Sequence, residues 1–287
     1  MKEKLLDLIS ESGLSRISNA LITYSKPSLR LVSVDKEGKE IQVGISKLGG
    51  CPDLPPGIKW PVWGDLPLSF IGQLDLSEVS KLDVEGILPQ TGMLFFFYDA
   101  DQRTWGFDPN DKGSWQVFYA NVEKSALIRI PFPRELTSES HFQEWPVEFS
   151  QEFTLPPWES TIMDEFQLSD EEEDLYIELL EEVSELTDRS GTVHRLLGYP
   201  DQIQCDMQLE CQLVSNGLYC GDSSGYGDIR SDELQKGAKE WRLLLQIDSE
   251  ESIGMCWGDV GKLYFWIKES DLREKDFSNV WMALQCY

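Results

Sequence analysis

Basic residues are scarce in this chain: 25 lysines and arginines stand against 51 aspartates and glutamates, a formal net charge of −26. Long-range repulsion from so acidic a surface argues against nucleic acid or an anionic membrane as a partner. Histidine is scarcer still, with only His141 and His194. None of the six cysteines forms a Cys-x-x-Cys pair, and His194 has no regular metal spacing to Cys205 or Cys211, so no metal site is expected. The chain also lacks a Gly-x-x-x-x-Gly-Lys loop, a dinucleotide fingerprint and a His-Glu-x-x-His pair. Nucleotide, flavin and zinc-protease chemistry therefore have no support, and no cofactor is expected. The longest apolar run, around Met93 to Tyr98, is far too short to cross a bilayer. The first residues mix acids and bases around Leu5, Leu8 and Ile9, which reads as an amphipathic helix and not as a signal peptide. Without a secretion signal the cysteines read as reduced thiols and the chain as cytoplasmic.

What the chain does have is repetition. Gly50-Cys51-Pro52-Asp53, Gln73-Leu74-Asp75 and Gly92-Met93-Leu94-Phe95-Phe96 return in the same order as Gly198-Tyr199-Pro200-Asp201, Gln246-Ile247-Asp248 and Gly261-Lys262-Leu263-Tyr264-Phe265. This reads as a degenerate internal duplication, two related βαβ-type halves about a pseudo-twofold axis. A length of 287 residues with 41% apolar content leaves room for a sizeable core. The expected fold is α+β, a single domain over 1–287 with a mainly antiparallel sheet. Pseudo-repeat one runs from about 44 to 133, an acidic connector and helix from about 134 to 190, and pseudo-repeat two from about 191 to 287.

Periodicity predicts one or two helices in the first thirty residues with a break at Gly13. A hairpin follows, pairing Leu29–Val34 with Ile41–Ile45 across the turn residues Asp35–Lys39. Further strands are expected at Leu68–Asp75, Met93–Tyr98, Trp115–Asn121, Ser125–Ile130, Val147–Leu155, Trp241–Ile247, Leu263–Ile267 and Val280–Cys286. Ser169 to Glu172 forms a capping box, and Leu175, Leu179, Val183 and Leu186 share one face, so a helix is predicted from Asp170 to about Thr187. Gln204–Val214 reads as another helix, and Gly221–Asp232 as a polar loop.

Leu48 to Pro55, Trp60-Pro61, Phe70 to Leu76, Leu88 to Gly92, Leu196 to Asp201 and Trp257 to Phe265 together resemble the YwqG-like family. The resemblance spans nearly the whole chain. It implies a bacterial, cytoplasmic α+β protein of a family without an assigned activity, and it supplies no catalytic residues to carry over. An association of such proteins with toxin loci makes a toxin-neutralising role one implication.

Several residues are candidates for a site. Gln73 and Asp75 lie two apart on a strand, as do Gln246 and Asp248, so each pair points to one face and the four could wall a cleft between the repeats. The alternative is structural: Asp75-x-x-Glu78 and Asp248-x-x-Glu251 match capping boxes, with the glutamines satisfying loop backbone. Trp257 and Asp259, in Trp257-Gly258-Asp259-Val260-Gly261, would add an indole and a carboxylate to the cleft or simply form a tight turn. Trp60 and Trp63 offer an aromatic platform or cover a core. Gly221-Asp222-Ser223-Ser224-Gly225 matches the serine-hydrolase string, but both histidines precede it and no strand leads into it. Asp222, Ser224, Gly227 and Glu233 fall at calcium-loop spacing, with Tyr226 departing from the pattern.

Between Glu135 and Asp188 there are eighteen acids and no lysine or arginine. This is either a solvated face or a docking surface for a basic protein, with Trp145, Phe149, Phe153, Trp158 and Phe166 interspersed to supply binding energy. The leading functional expectation is a non-enzymatic, immunity-like binding protein that meets a basic partner through Glu171, Glu172, Glu173, Glu178, Glu181 and Glu182. The alternative is a small-ligand or hydrolytic site in the cleft between the repeats.

Overall fold

A computed structural model describes residues 1–34, 40–186 and 191–287. Ten strands form its central sheet: β1 (Lys26–Ser33), β2 (Lys47–Leu48), β3 (Ser69–Asp75), β4 (Met93–Tyr98), β5 (Trp115–Ala120), β6 (Trp145–Thr154), β7 (His194–Leu196), β8 (Trp241–Asp248), β9 (Lys262–Lys268) and β10 (Trp281–Gln285). They lie in the order β10-β9-β8-β7-β1-β6-β2-β3-β4-β5, each neighbour antiparallel. The long pair β1 and β6 thus separates two wings of four strands.

The wings curl until their outer strands meet, giving a nearly closed barrel. Trp115 of β5 donates its indole N–H to the Val280 carbonyl at 2.8 Å, and Trp281 of β10 donates to Gly106 at 2.8 Å. The two indoles stand edge to face, 4.9 Å apart. Inside, Phe96 of β4 touches Phe265 of β9 at 5.2 Å. The uninterrupted apolar sequence of β4 follows from its two covered faces. Leu94, Phe96 and Tyr98 enter the main core, while Met93, Phe95 and Phe97 enter a second one capped by Trp60 and Trp63. Alternate side chains of a strand point to opposite faces, so burial on both sides leaves no polar position. Each of the three phenylalanines is fully buried and worth about 2 kcal/mol in removed apolar surface.

A separate helical core covers one end of the β1–β6 pair. It joins α1 (Lys2–Glu11), α2 (Ser18–Tyr24), α4 (Thr161–Asp164) and α5 (Asp170–Leu186). α3 is the single turn Leu76–Val79 after β3. The capping box opens α5: the Ser169 N–H donates to Glu172 Oε2 at 3.0 Å, and the Glu172 N–H to Ser169 Oγ at 3.3 Å. The face α5 buries is Tyr176, Leu179 and Val183, with Leu175 packed at its edge. The tyrosine was not in the expected stripe. It enters because its hydroxyl has a buried acceptor, the Pro156 carbonyl at 2.7 Å.

Two expectations about strands change. The 41–45 segment is not a strand, because side chains take its backbone groups: Arg129 donates to the Ile41 and Gln42 carbonyls, and the Gly44 N–H donates to Asp53. The hairpin turn expected at 35–39, and the last residue of the expected α5 at 187, lie outside the described residues. Ser125–Ile130 shrinks to the pair Ile128–Arg129, which meets Asp53–Leu54. The expected Gly221–Asp232 loop contains two helical turns, α7 (Ser223–Tyr226) and α8 (Ser231–Leu234), and α9 (Glu269–Glu274) follows β9. α6 spans Met207–Ser215. No helix among the described residues is long and apolar enough to cross a membrane.

Candidate functional site

Gln73 and Gln246 are fully buried, and each makes the same set of bonds. Gln73 accepts the Asp53 N–H at 2.8 Å and donates to Asp53 Oδ2 at 2.8 Å and to the Ile45 carbonyl at 2.9 Å. Gln246 accepts the Asp201 N–H at 2.8 Å and donates to Asp201 Oδ2 at 3.0 Å and to the Val193 carbonyl at 2.8 Å. A buried cation stands beside each aspartate. Lys47 lies 3.7 Å from Asp53 and donates to the Cys51 carbonyl; Arg195 lies 2.9 Å from Asp201 and donates to the Tyr199 carbonyl. The tight approach that follows each cation demands left-handed backbone, found at Gly49 and Gly50 in one wing and at Leu197 and Gly198 in the other.

These side chains hold loops and are not brought together. β3 and β8 are five steps apart in the strand order, and none of the six expected cleft residues lines any cavity described below. Asp75 caps α3 through the Ser77 N–H at 2.9 Å and pairs with Lys124. Asp248 accepts the Val193 N–H at 2.9 Å. Trp257 is fully buried and donates to the Asp248 carbonyl at 3.2 Å. Asp259 stays exposed in a turn that places both Gly258 and Val260 at positive φ. His194 Nε2 is 2.7 Å from Glu250, while His141 stacks on Phe132 with its Nε2 buried and without a hydrogen bond.

The expected docking acids divide. Glu171, Glu178, Glu181 and Glu182 are exposed on the outer face of α5. Glu172 is engaged at the surface, taking a two-pronged bond from Arg16 at 2.7 Å on each oxygen, which holds its carboxyl down at about 2. Glu173 is half-buried and lines a cavity of about 450 Å³ with Trp158, Glu159, Met163 and Asp164.

A larger cavity, about 710 Å³, opens over α6. Trp105, Phe107, Leu209 and Leu284 supply apolar walls, and Glu210 stands among them with Asp206 and Asp222. Glu210 accepts a hydrogen bond from the Tyr226 hydroxyl at 3.3 Å, and burial pushes its pKa up to about 7. Asp206 also lines the cavity but caps α6 through the Gln208 N–H at 2.8 Å and accepts the Thr161 N–H at 3.1 Å. Asp222 caps α7 through the Ser224 N–H at 2.8 Å, so the calcium-like spacing is in part helix-capping chemistry. Ser223 of the hydrolase-like string lines the same cavity, with neither histidine among its walls. Burial raises the Cys205 thiol and pushes Cys220 up to about 12, which keeps both protonated and poor as nucleophiles at neutral pH.

Sequence reasoning missed Glu210. The available signal is its place in the stripe Met207, Glu210, Cys211 and Val214, where spacing puts an acid on a buried face.

The two cavities flank α4, since Thr161 lines the larger and Met163 and Asp164 the smaller. Neither has a lysine or arginine among its described walls. A search of curated proteins found no match for the chain, so the narrower YwqG-like resemblance has no named relative behind it. A family model does match, from residue 46 to residue 286, and by that match the chain belongs to the family described as a domain of unknown function, DUF1963.

Proposed function

We propose that the chain is a binding protein for a basic protein segment, which lies across α4 with cationic side chains in the acid-walled cavities on either side. The observation that carries this reading is the lining itself. Asp206, Glu210 and Asp222 on one side and Glu159, Asp164 and Glu173 on the other come with Trp105, Phe107, Tyr226 and Trp158, and with no cation. A desolvated carboxyl beside aromatic faces gains more from an ammonium or guanidinium group than a solvated one does. The outer acids of α5 extend the same field and speed the encounter.

We further infer that the two wings are copies of one ancestral unit within a single domain. The matched bonds of Gln73 and Gln246, and the matched cations Lys47 and Arg195, support this.

The test is titration of a lysine- and arginine-rich peptide into the intact protein by calorimetry at physiological salt. Glu210→Gln should weaken binding about tenfold, the loss of one desolvated charge contact. Asp65→Asn, the same charge change at an exposed turn on the first wing, should leave it unchanged. Equal weakening by both variants would mean only diffuse attraction to an acidic surface, and the reading would fall.

A further inference from the structure

Among the described residues nine buried side-chain nitrogen or oxygen atoms have no hydrogen-bond partner. Six of them belong to residues around one place: Arg195 Nη2, Gln202 Nε2, Arg242 Nε, Trp266 Nε1, Tyr199 OH and Ser160 Oγ. They come from β7, β8, β9, the loop after β7 and the turn before α4, so no local motif accounts for their convergence. Five of the six residues are more than nine-tenths buried, and Gln202 is half-buried. Four of the atoms can only donate, and the two hydroxyls can donate. Such atoms are costly to bury unmet, and the one unmet acceptor nearby, Glu152 Oε2, belongs to the carboxylate that already holds Arg195.

These residues wall two adjoining lobes. The larger, about 300 Å³, lies between the Tyr199–Ile203 loop and Leu155, Trp158, Leu180 and Val183. The smaller, about 10 Å³, lies toward Lys26, Arg242 and Trp266. Pro157, Tyr199, Pro200 and Gln202 belong to both. The small lobe holds about one water. One water accepts at most two hydrogen bonds, and five of the unmet atoms belong to residues of that lobe. Acceptor atoms of a molecule seated in the larger lobe would meet donors that a single water leaves over.

Charge then selects the kind of molecule. Arg195 already holds Glu152 and Asp201, and Arg242 holds Glu85 and Glu269. With Lys26 on one side and the lining residues Glu159 and Asp206 on the other, the neighbourhood has three cations against six carboxylates, so an added anion meets no surplus positive charge. A neutral molecule rich in oxygen meets the same donors without that repulsion. Trp158 and the aliphatic wall suit the C–H face of a ring.

We propose that these paired lobes bind a neutral polyhydroxylated ligand of monosaccharide size. The lobes adjoin the cavities of the basic-segment reading, with Trp158, Glu159 and Asp206 in common, and the variants below leave those three residues untouched. Glucose, galactose, mannose and glucuronate are titrated into the intact protein and followed by calorimetry and by tryptophan fluorescence, since Trp158 and Trp266 line the lobes. At least one neutral hexose should saturate the signal and bind more tightly than glucuronate. Tyr199→Phe removes an unmet hydroxyl that lines both lobes, and Ser160→Ala one that lines the small lobe alone, neither with a bond seen in the fold. Tyr199→Phe should weaken that hexose about tenfold and Ser160→Ala less, while both variants keep the wild-type unfolding temperature within a few degrees. Absence of saturation by all three hexoses overturns the proposal. So does glucuronate binding as tightly as the best hexose, or wild-type hexose affinity in both hydroxyl variants.

Discussion

Replacing Glu210 by glutamine isolates the carboxyl that distinguishes the α6 cavity, and its effect on stability is calculable. An unfolded glutamate titrates near 4.5, while burial holds the folded group at about 7. Between those values the folded chain keeps a proton that the unfolded chain has released. The folded state binds more protons there, so this group's contribution is present at low pH and lost as pH rises through the window. Each pH unit of separation is worth about 1.4 kcal/mol. From pH 5 to pH 8 the wild type should therefore lose about 2.5 kcal/mol relative to Glu210→Gln. Glutamine keeps an oxygen for the Tyr226 hydroxyl and carries no charge to desolvate. Urea unfolding of both proteins at pH 5, 6, 7 and 8 measures the difference, and the other acids cancel because they are common to both. The two should differ by about 1 kcal/mol or less at pH 5, with the variant progressively more stable above it. A difference that stays flat with pH, or a wild type that is the more stable at pH 8, would refute a desolvated Glu210. The same titration has a binding counterpart: affinity for the cationic peptide should rise from pH 6 to pH 8 in the wild type and stay level in the variant.

The remaining predictions concern the supports. Gln73→Leu and Gln246→Leu each strand a buried aspartate N–H and a carbonyl, which should cost about 3 kcal/mol apiece in urea unfolding; a value under about 1 kcal/mol for either would contradict the matched roles of the two glutamines. Asp206→Ala removes the α6 cap and the acceptor of the Thr161 N–H, so about 2 kcal/mol should be lost, with the α6 amides exchanging faster by hydrogen-exchange mass spectrometry.

The parts of this fold that can be read from the sequence are those whose partners are implied by composition. Met93–Tyr98 announces a strand buried on both faces, because six consecutive apolar residues flanked by turn residues have few other uses. α5 announces itself by its cap and its spacing. β7 does not: His194-Arg195-Leu196 looks like a polar surface segment, yet Arg195 is fully buried because Glu152 and Asp201 meet it from elsewhere in the chain. Lys47 hides in the same way beside Asp53 and Glu144. The expected strand at 41–45 failed for the related reason that Arg129, more than eighty residues on, supplies the bonds a partner strand would have supplied. Periodicity describes which face is apolar; it carries no information about long-range polar pairing. The candidate sites depend almost entirely on such pairing, or on the lack of it, and so only Glu210 left a trace in the local pattern.

The matched wings sharpen this point. Gln73 and Gln246, with Lys47 and Arg195, make matching sets of bonds, so these residues do not distinguish the wings. The difference lies just beyond them. After Asp53 the first wing pairs its chain with Ile128–Arg129, and the Arg129 guanidinium closes on the Asp53 carboxylate at 2.8 Å, leaving that side chain wholly buried. After Asp201 the second wing turns Gln202 and Ile203 along the 300 Å³ lobe, and the Asp201 side chain keeps 23% of its surface exposed. The first wing is thus sealed by its own chain while the second walls a cavity, and it is beside this second, open wing that the unmet donors around Tyr199 lie.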